Sequence, residues 1–139
     1  MSRAVENLEE AMRFAMTIRP KVGGFPYLAE VLRQAGVTRN LWTLPACQSL
    51  YLTTHGPVVM LGTPLAHGKV DVPNFNQEAL IGALRLDQAG NSTFPEFLES
   101  AWKAGVVGYE VEFDRRKVTY FGALGATYVE DYPAVTVKR

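Results

Sequence analysis

The feature that most constrains the fold of this sequence is an internal repeat with a period of 69 residues. An ungapped shift by that period aligns residues 6–64 with residues 75–133 and gives 11 identical pairs in 59 positions. The clearest stretch is FPYLAEVLRQAGV, beginning at Phe25, against FPEFLESAWKAGVV, beginning at Phe94. A fixed period of this length indicates one supersecondary unit that is used twice.

Each copy is predicted to begin with two helices. The first helix of the chain runs from about Ala4 to Ile18. Its counterpart in the second copy begins near Asn74, because Asn74 and Gln77 resemble a capping box. Gly90 is suited to end that helix in a left-handed conformation. The helical segments therefore have start and stop signals of their own.

The last helix has the clearest boundaries. Thr93 and Glu96 have the spacing of a capping box, and Gly105 follows the final helical residues as a stop signal. The apolar residues recur at helical spacing and predict one buried stripe, formed by Phe97, Leu98, Ala101 and Trp102. The corresponding helix of the first copy lies between Pro26 and Gly36.

After each Ala-Gly-Val the apolar pattern changes from helical to alternating, which is typical of strands with one wet face. A turn at residues 114–117 predicts a hairpin, and third strands are predicted from Ala126 to Glu130 and from Pro57 to Leu61. We predict an α+β fold of two tandem helix-helix-strand-strand(-strand) repeats, with an antiparallel sheet and the helices packed on one side. The two strand modules either stand apart or join in one sheet. A chain of 139 residues supports one core, so residues 1–139 are predicted to form a single domain.

The charge and cysteine content limit the partners. The formal net charge is zero, so no positive field draws the chain to nucleic acid or anionic lipid. No stretch is apolar for long enough to span a membrane, and the N-terminus has no secretory signal pattern. The single cysteine, Cys47, fits a reducing compartment. We predict a cytoplasmic protein that binds neither nucleic acid nor membrane.

The two copies differ most in charge. From Asn40 to Gly68, here called the uncharged segment, there is no Asp, Glu, Lys or Arg, whereas the matching stretch of the second copy is rich in charge. Strands with one solvated face normally carry charges at alternating positions. The second face of these strands therefore needs a cover, which is another part of the same chain, a second copy of the chain, or a ligand.

The side chains that could carry nucleophilic or metal chemistry are Cys47, His55 and His67. A Cys-His pair needs hydrogen-bond contact and an orienting third group, and a cysteine among apolar neighbours is usually a small core residue. The spacings match no zinc pattern, and no phosphate loop or dinucleotide fingerprint occurs. We predict no catalytic residue, no metal and no cofactor. The carboxylates around the third helix, Asp87 among them, fit a solvated helix face at least as well as acid–base chemistry.

The stretch LPACQS, beginning at Leu44, and the long stretch from Asp71 to Asp114 resemble a known family. It is the YdfO/YbcV-like family of uncharacterised bacterial and prophage-borne proteins, some of which are labelled phage envelope protein. The resemblance covers most of the chain, from about Phe25 to Pro133. It implies a compact α+β fold, and it implies no activity, cofactor or catalytic residue.

Three functional hypotheses follow from the sequence. The leading one is a non-enzymatic binding or interaction module that forms a homodimer through the uncharged segment, residues 40–68. The alternative is a small-ligand-binding protein or an enzyme with a pocket around Trp42, Cys47, Tyr51 and His55. The third is a phage-derived structural component.

Overall fold

The computed structural model describes residues 2–139 and contains the repeat in its order of elements. Two helices are followed by three strands, and the same series then occurs again. The elements are α1 (Arg3–Ile18), α2 (Phe25–Gln34), β1 (Val37–Thr43), β2 (Gln48–Thr53), β3 (Val58–Leu61), α3 (Gln77–Gln88), α4 (Phe94–Lys103), β4 (Val106–Glu112), β5 (Lys117–Gly122) and β6 (Thr127–Asp131). The prediction of an α+β fold built from two tandem halves is confirmed.

The two halves share one antiparallel sheet in the order β3-β2-β1-β4-β5-β6. The first strands of the two halves, β1 and β4, pair at its centre, and there Leu41 lies opposite Glu110, its own counterpart in the repeat. On either side of this pair, Asn40 faces Val111 and Trp42 faces Tyr109. The two halves are therefore related by a pseudo-two-fold axis through the Leu41–Glu110 pair.

The equivalence of the halves extends to backbone detail. Asn40 pairs with Tyr51 in the first hairpin, and their counterparts Tyr109 and Tyr120 pair in the second. The last residues of the two hairpin turns, Cys47 and Arg116, both have a positive φ, at 58° and 52°. The third strands differ slightly, because β6 is shifted by one residue relative to β3 in its pairing with the preceding strand.

The helix starts confirm one prediction and correct another. Thr93 and Glu96 form the capping box of α4. The cap of α3 is Asn76 and not Asn74, because the Asn76 side chain accepts a hydrogen bond from the Ala79 N–H at 3.0 Å. The physical reason is a tertiary contact: the Asn76 N–H donates to the Ala104 carbonyl at 2.8 Å, which keeps the chain extended up to that residue.

The core lies between the helices and one face of the sheet, here called the inner face. Phe97, Leu98 and Ala101 of α4 are buried as predicted, but Trp102 is only half-buried and lies at the border of the core. The prediction of a buried stripe is therefore confirmed for three of its four residues and is wrong for Trp102. No helix within residues 2–139 is long and apolar enough to cross a membrane.

The opposite face of the sheet, here called the outer face, divides into an apolar half and a charged half. Strands β1–β3 place on it the apolar side chains of Leu41, Leu50, Leu52, Val59 and Leu61, of which Val59 is 52% exposed and Leu61 78% exposed. The second half places Glu110, Glu112, Lys117 and Asp131 on the same face. The uncharged segment is thus covered by its own chain on the inner face only.

Candidate functional site

A cavity of about 1110 Å³ lies between the inner face of the sheet and the helices. Protein interiors normally contain few voids larger than a water molecule, and ligand pockets typically occupy about 300–1,000 Å³. The floor of the cavity is formed by strand residues from both halves, among them Asn40, Trp42, Tyr51, Tyr109, Val111, Val118, Tyr120 and Glu130. The cavity therefore extends across the pseudo-two-fold axis.

The two interhelical connectors, residues 19–24 and 89–93, line part of the cavity. The first connector meets the end of α3, where the Gly23 N–H donates to the Gln88 carbonyl at 2.9 Å. Gly90 lies against the Lys21 backbone, because a Cβ atom at Gly90 would be 3.1 Å from the Lys21 carbonyl oxygen. The two connectors therefore contact each other beside the cavity.

Residues after β6 close one side of the cavity. The tail residues Tyr132, Pro133 and Val135 line it. The ring of Tyr132 packs edge-on against Phe25 of α2, with 5.1 Å between ring centroids. Further along the tail, the Gln34 side chain donates to the Val137 carbonyl at 3.0 Å. The tail is thereby fixed against α2.

Aromatic rings form a continuous row along the floor. Trp42 stacks on Tyr109 at 5.9 Å between centroids, and Tyr109 lies 5.4 Å from Tyr120. Phe94, at the start of α4, meets Trp42 edge-on at 5.2 Å. Such rings provide a large apolar contact area together with polarised π faces. The row is suited to a flat or aromatic ligand.

Two tyrosines of this row have hydroxyl groups without a protein partner. Tyr109 and Tyr120 are 7% and 6% exposed, and neither hydroxyl forms a hydrogen bond within residues 2–139. Every fully buried side-chain oxygen and nitrogen in the same residues has a hydrogen-bond partner. The two unpaired hydroxyls are therefore not fully buried, and both tyrosines line the cavity. Burial raises the pKa of both side chains, which keeps the O–H donors intact at neutral pH. Both hydroxyls can therefore form a hydrogen bond with water or with a bound ligand.

The polar groups of the first half are already occupied. The Asn40 side chain donates to the Ser49 hydroxyl at 2.7 Å and to the Leu50 carbonyl at 3.1 Å. Burial raises the pKa of Tyr51, although a hydrogen bond with Ser49 opposes the shift. The side chains of Asn40, Ser49 and Tyr51 therefore form an uncharged, internally hydrogen-bonded part of the floor.

Two of the carboxyl groups that line the cavity, those of Glu130 and Asp87, have different surroundings. Glu130 accepts hydrogen bonds from Arg85, Gln88 and Tyr128, all between 2.8 and 3.1 Å. Burial acts to raise the pKa of Glu130, but these hydrogen bonds outweigh it and hold the pKa below its usual value. Asp87 accepts only one long hydrogen bond, from Ser92 at 3.3 Å, and burial raises its pKa, although this hydrogen bond and the charge of Arg19 oppose the shift. The charged form of Glu130 is thus stabilised by three hydrogen-bond donors, whereas the Asp87 carboxylate has one.

Stability measurements against pH are expected to separate these two carboxyl groups. Because the pKa of Asp87 is raised above its unfolded value of 3.8, its contribution to stability is present below that pH and is lost as the pH rises through the folded pKa. Asp87→Asn is therefore expected to raise the free energy of unfolding at pH 7 and to have little effect below about pH 3.8.

Glu130→Gln is expected to act in the opposite direction. The contribution of Glu130 is present above its unfolded pKa of 4.5 and is lost as the pH falls through the folded value. The variant should lose about 1.5–3 kcal/mol at pH 7, the usual range for hydrogen bonds to a charged group. Urea unfolding of both variants at pH 7 and at pH 3.5 measures these effects, and a destabilised Asp87→Asn protein at pH 7 would contradict the description of Asp87.

The structure brings together two of the four residues that the sequence suggested for a pocket. Trp42 and Tyr51 line the cavity. Cys47 is buried in the β1–β2 turn, where burial raises its pKa and its carbonyl accepts from the Gly62 N–H, and it does not line the cavity. His55 is exposed in the β2–β3 turn, outside the cavity. No group of three His, Cys, Asp or Glu side chains in residues 2–139 is arranged to hold a metal ion.

Sequence reasoning did not identify the cavity residues of the second half. Tyr109 and Tyr120 lie in the strands on either side of the predicted turn at residues 114–117, and the sequence places Asp87 only on a helix face. One signal was available, because Tyr51 and Tyr120 are identical in the two copies and lie at alternating, inward positions of equivalent strands. An aromatic residue retained in both halves at the same inner-face position indicates a shared surface.

The chain is similar to known proteins whose printed names and descriptions state no activity. A family model described as protein of unknown function (DUF1398) matches residues 17–131. The uncharacterized protein Rv2012 of Mycobacterium tuberculosis and the uncharacterized protein Mb2035 of Mycobacterium bovis are each 53% identical over 135 residues. The matched region covers 97% of this chain and 82% of each relative. Neither the family description nor these names refer to a phage, so the phage label stays a prediction.

Proposed function

The chain belongs to the DUF1398 family of proteins of unknown function, so we propose its function from the cavity: the protein binds a small, largely apolar organic molecule between the sheet and the helices. The observation that carries this proposal is the aromatic row of Trp42, Tyr109 and Tyr120, with two free hydroxyl groups, on the floor of a cavity of about 1110 Å³. Apolar walls with a few polar groups are the usual composition of small-molecule sites.

The composition of the cavity favours binding over catalysis. Cys47 and His55, the most reactive side chains of the uncharged segment, do not line it. The polar groups that do line it are tyrosine hydroxyls, the Ser92 hydroxyl, the amides of Asn40 and Gln88, and charged side chains, which suit recognition. The single cysteine fits a reducing compartment, so we place this function in the cytoplasm.

The two tryptophans of the chain test the proposal, because one lies in the cavity and the other does not. Trp42 lines the cavity, whereas Trp102 packs at the border of the core. Trp102→Phe leaves Trp42 as the only tryptophan, and Trp42→Phe leaves Trp102. With 1-bromonaphthalene, a neutral aromatic compound whose bromine quenches tryptophan on contact, we expect saturable quenching with one probe per chain in the Trp102→Phe variant only.

Two results of this experiment would contradict the proposal. Emission from Trp42 that does not change up to the solubility limit of the probe would mean that the cavity takes up no apolar molecule. Equal quenching of Trp42 and Trp102 would mean that the probe binds without preference for the cavity. Circular dichroism of both variants shows that each retains the fold.

A second candidate function, homodimerisation through the uncharged segment, is favoured by the outer face. Its apolar half is formed by side chains of β1–β3, with Val59 and Leu61 largely exposed. Exposed apolar patches on a sheet are a common surface for two-fold association, and β3 is also an edge strand. Both functions are compatible, because the cavity and the apolar half lie on opposite faces of the sheet.

Lysine substitutions at two valines of equal exposure test the dimer. Val59 of β3 is 52% exposed, and Val129 of β6, on the charged half of the outer face, is 49% exposed. Val59→Lys is expected to weaken association about tenfold or more, because an ammonium group would be buried unpaired in the interface. Val129→Lys is expected to have no effect. Sedimentation with circular dichroism measures both, and a wild-type protein that sediments as a monomer at high concentration would exclude this dimer.

A further inference from the structure

A second, smaller cavity of about 300 Å³ lies between α2, the β4–β5 turn and the tail of residues 132–139. The tail residues Tyr132, Pro133 and Val135 line this cavity as well as the larger one. Protein interiors normally contain few voids larger than a water molecule, so a segment that borders two of them is less tightly packed than an ordinary part of the core. No residue of the tail is fully buried. Empty space therefore adjoins the tail at the large cavity and at the small one.

The repeat shows that the tail lacks a backbone attachment that the first copy has. In the equivalent segment of the first copy, which follows β3, the Leu65 N–H donates to the Pro45 carbonyl at 2.8 Å. The tail begins with an attachment of its own, because the Tyr132 N–H donates to the Arg116 carbonyl at 3.1 Å. Beyond it, residues 133–139 form no backbone–backbone hydrogen bond within the part of the chain that the structure describes. The tail is therefore attached to the sheet only where it begins.

Side-chain contacts with the first two helices hold the rest of the tail. The Gln34 side chain donates to the Val137 carbonyl at 3.0 Å. The Arg139 guanidinium lies 4.6 Å from the centroid of the Phe14 ring. Gln34 and Arg139 are exposed and do not line the large cavity. A single exposed hydrogen bond or cation–π contact stabilises a structure only modestly, so the tail can be released while the helices and the sheet stay folded.

We propose that the tail is a lid of the large cavity, held closed by Gln34 and Arg139, which moves away from α2 to admit and release the ligand. Opening removes Pro133 and Val135 from the wall that they form beside α2. Tyr132 lies on the hinge side of this movement, because its N–H is bound at the β4–β5 turn. This inference rests on the proposed function, because it names the route by which the ligand of that cavity enters and leaves.

Binding kinetics separate a lid from a fixed wall. Gln34→Ala and Arg139→Ala, each in the Trp102→Phe protein, remove one contact of the tail without changing a residue that lines the large cavity. Stopped-flow quenching of Trp42 emission by 1-bromonaphthalene gives the association and dissociation rate constants. We expect each variant to raise both rate constants about threefold or more and to leave Kd within about twofold of the Trp102→Phe protein. The reason is that a weakened contact raises the population of the open lid in the free and the bound protein alike.

Lys103→Ala is the matched control, because Lys103 occupies the position of Gln34 in the second copy and forms an ion pair with Glu99 of its own helix. It should leave both rate constants unchanged. If the probe does not quench Trp42 emission, the proposed function is wrong and the lid with it. If the probe binds but all variants exchange it at the same rates, the cavity is filled by another route and the tail is not a lid. A lower affinity with an unchanged association rate constant would show that the tail only stabilises the bound state.

Discussion

Replacing Trp42 with alanine is expected to weaken ligand binding about thirtyfold or more, because tryptophans at the centre of a binding surface typically contribute at least about 2 kcal/mol. The Trp42 ring lies between Tyr109 and Phe94, and its loss would remove one end of the aromatic row. The affinity for 1-bromonaphthalene, measured by calorimetry, gives the effect directly. Calorimetry is required because the variant lacks the tryptophan that reports binding.

Trp102→Ala is the matched control for this prediction. Trp102 is also half-buried, but it lies at the border of the core and outside the cavity. We expect Trp102→Ala to lower the free energy of unfolding and to leave the affinity for 1-bromonaphthalene unchanged. Equal losses of affinity in the two variants would mean that Trp42 acts only through the general stability of the fold.

Leu80→Ala is expected to cost about 2–5 kcal/mol of stability, the usual range for truncation of a fully buried leucine. Leu80 is 0% exposed, and its position in the first copy is occupied by Ala11, which is also buried. The two halves therefore fill the space beneath α1 and α3 with side chains of different size. A cavity left at Leu80 cannot be filled by a neighbouring part of the same helix.

Leu86→Ala on the same helix is the control, because Leu86 is 50% exposed. We expect it to change stability by less than about 0.5 kcal/mol, as is usual for surface positions. Urea unfolding followed by circular dichroism compares the two variants. Similar losses in both would show that α3 does not pack on the sheet through the face that contains Leu80.

The parts of the fold that could be predicted from the sequence depend on local chemistry. The capping box of Thr93 and Glu96 satisfies backbone groups within one turn, so it forms wherever the helix forms. The alternation of Tyr109, Val111 and Phe113 fixes which side chains enter the core. The cap at Asn76 could not be predicted, because it depends on a hydrogen bond to Ala104, a residue on a different helix end.

The cavity could be predicted only in part, because it is formed by contacts between the two repeats. Trp42 and Tyr51 were suggested by their position in the uncharged segment, but Trp42 meets Tyr109 only because β1 pairs with β4 across the pseudo-two-fold axis. Asp87 is half-buried at a helix end that meets the connector of the other half, through the bond between Gly23 and Gln88. A solvated helix face was a reasonable prediction for an isolated α3. It was wrong for Asp87, which is half-buried in the assembled fold.

The uncharged segment had three possible covers, and the structure shows why the sequence could not choose among them. Tyr51 and Val58 of its strands are buried on the inner face beneath the same chain. Alternate residues of the same strands, such as Val59, are exposed on the outer face. The uncharged segment therefore forms two different surfaces, a buried inner one and an exposed outer one, which the sequence pattern alone does not separate.

The state of Asp87 connects stability with the proposed binding function. A carboxylate at the C-terminal end of a helix, with one long hydrogen bond and no ion pair, lowers the stability of the folded protein. Groups that cost stability and line a cavity are typical of sites that are completed by a ligand. A stabilised Asp87→Asn protein with altered ligand affinity would be the expected combination.

The most direct test of ligand binding in the cavity is the anomalous scattering of bromine from crystals of the wild-type protein soaked with 1-bromonaphthalene. We expect one strong bromine peak per chain inside the cavity, over the rings of Trp42 and Tyr109 and beneath the connectors of residues 19–24 and 89–93. Peaks confined to the apolar half of the outer face, near Leu50 and Val59, or a cavity without bromine at full occupancy of other sites, would contradict the proposal that this protein binds its ligand between the sheet and the helices.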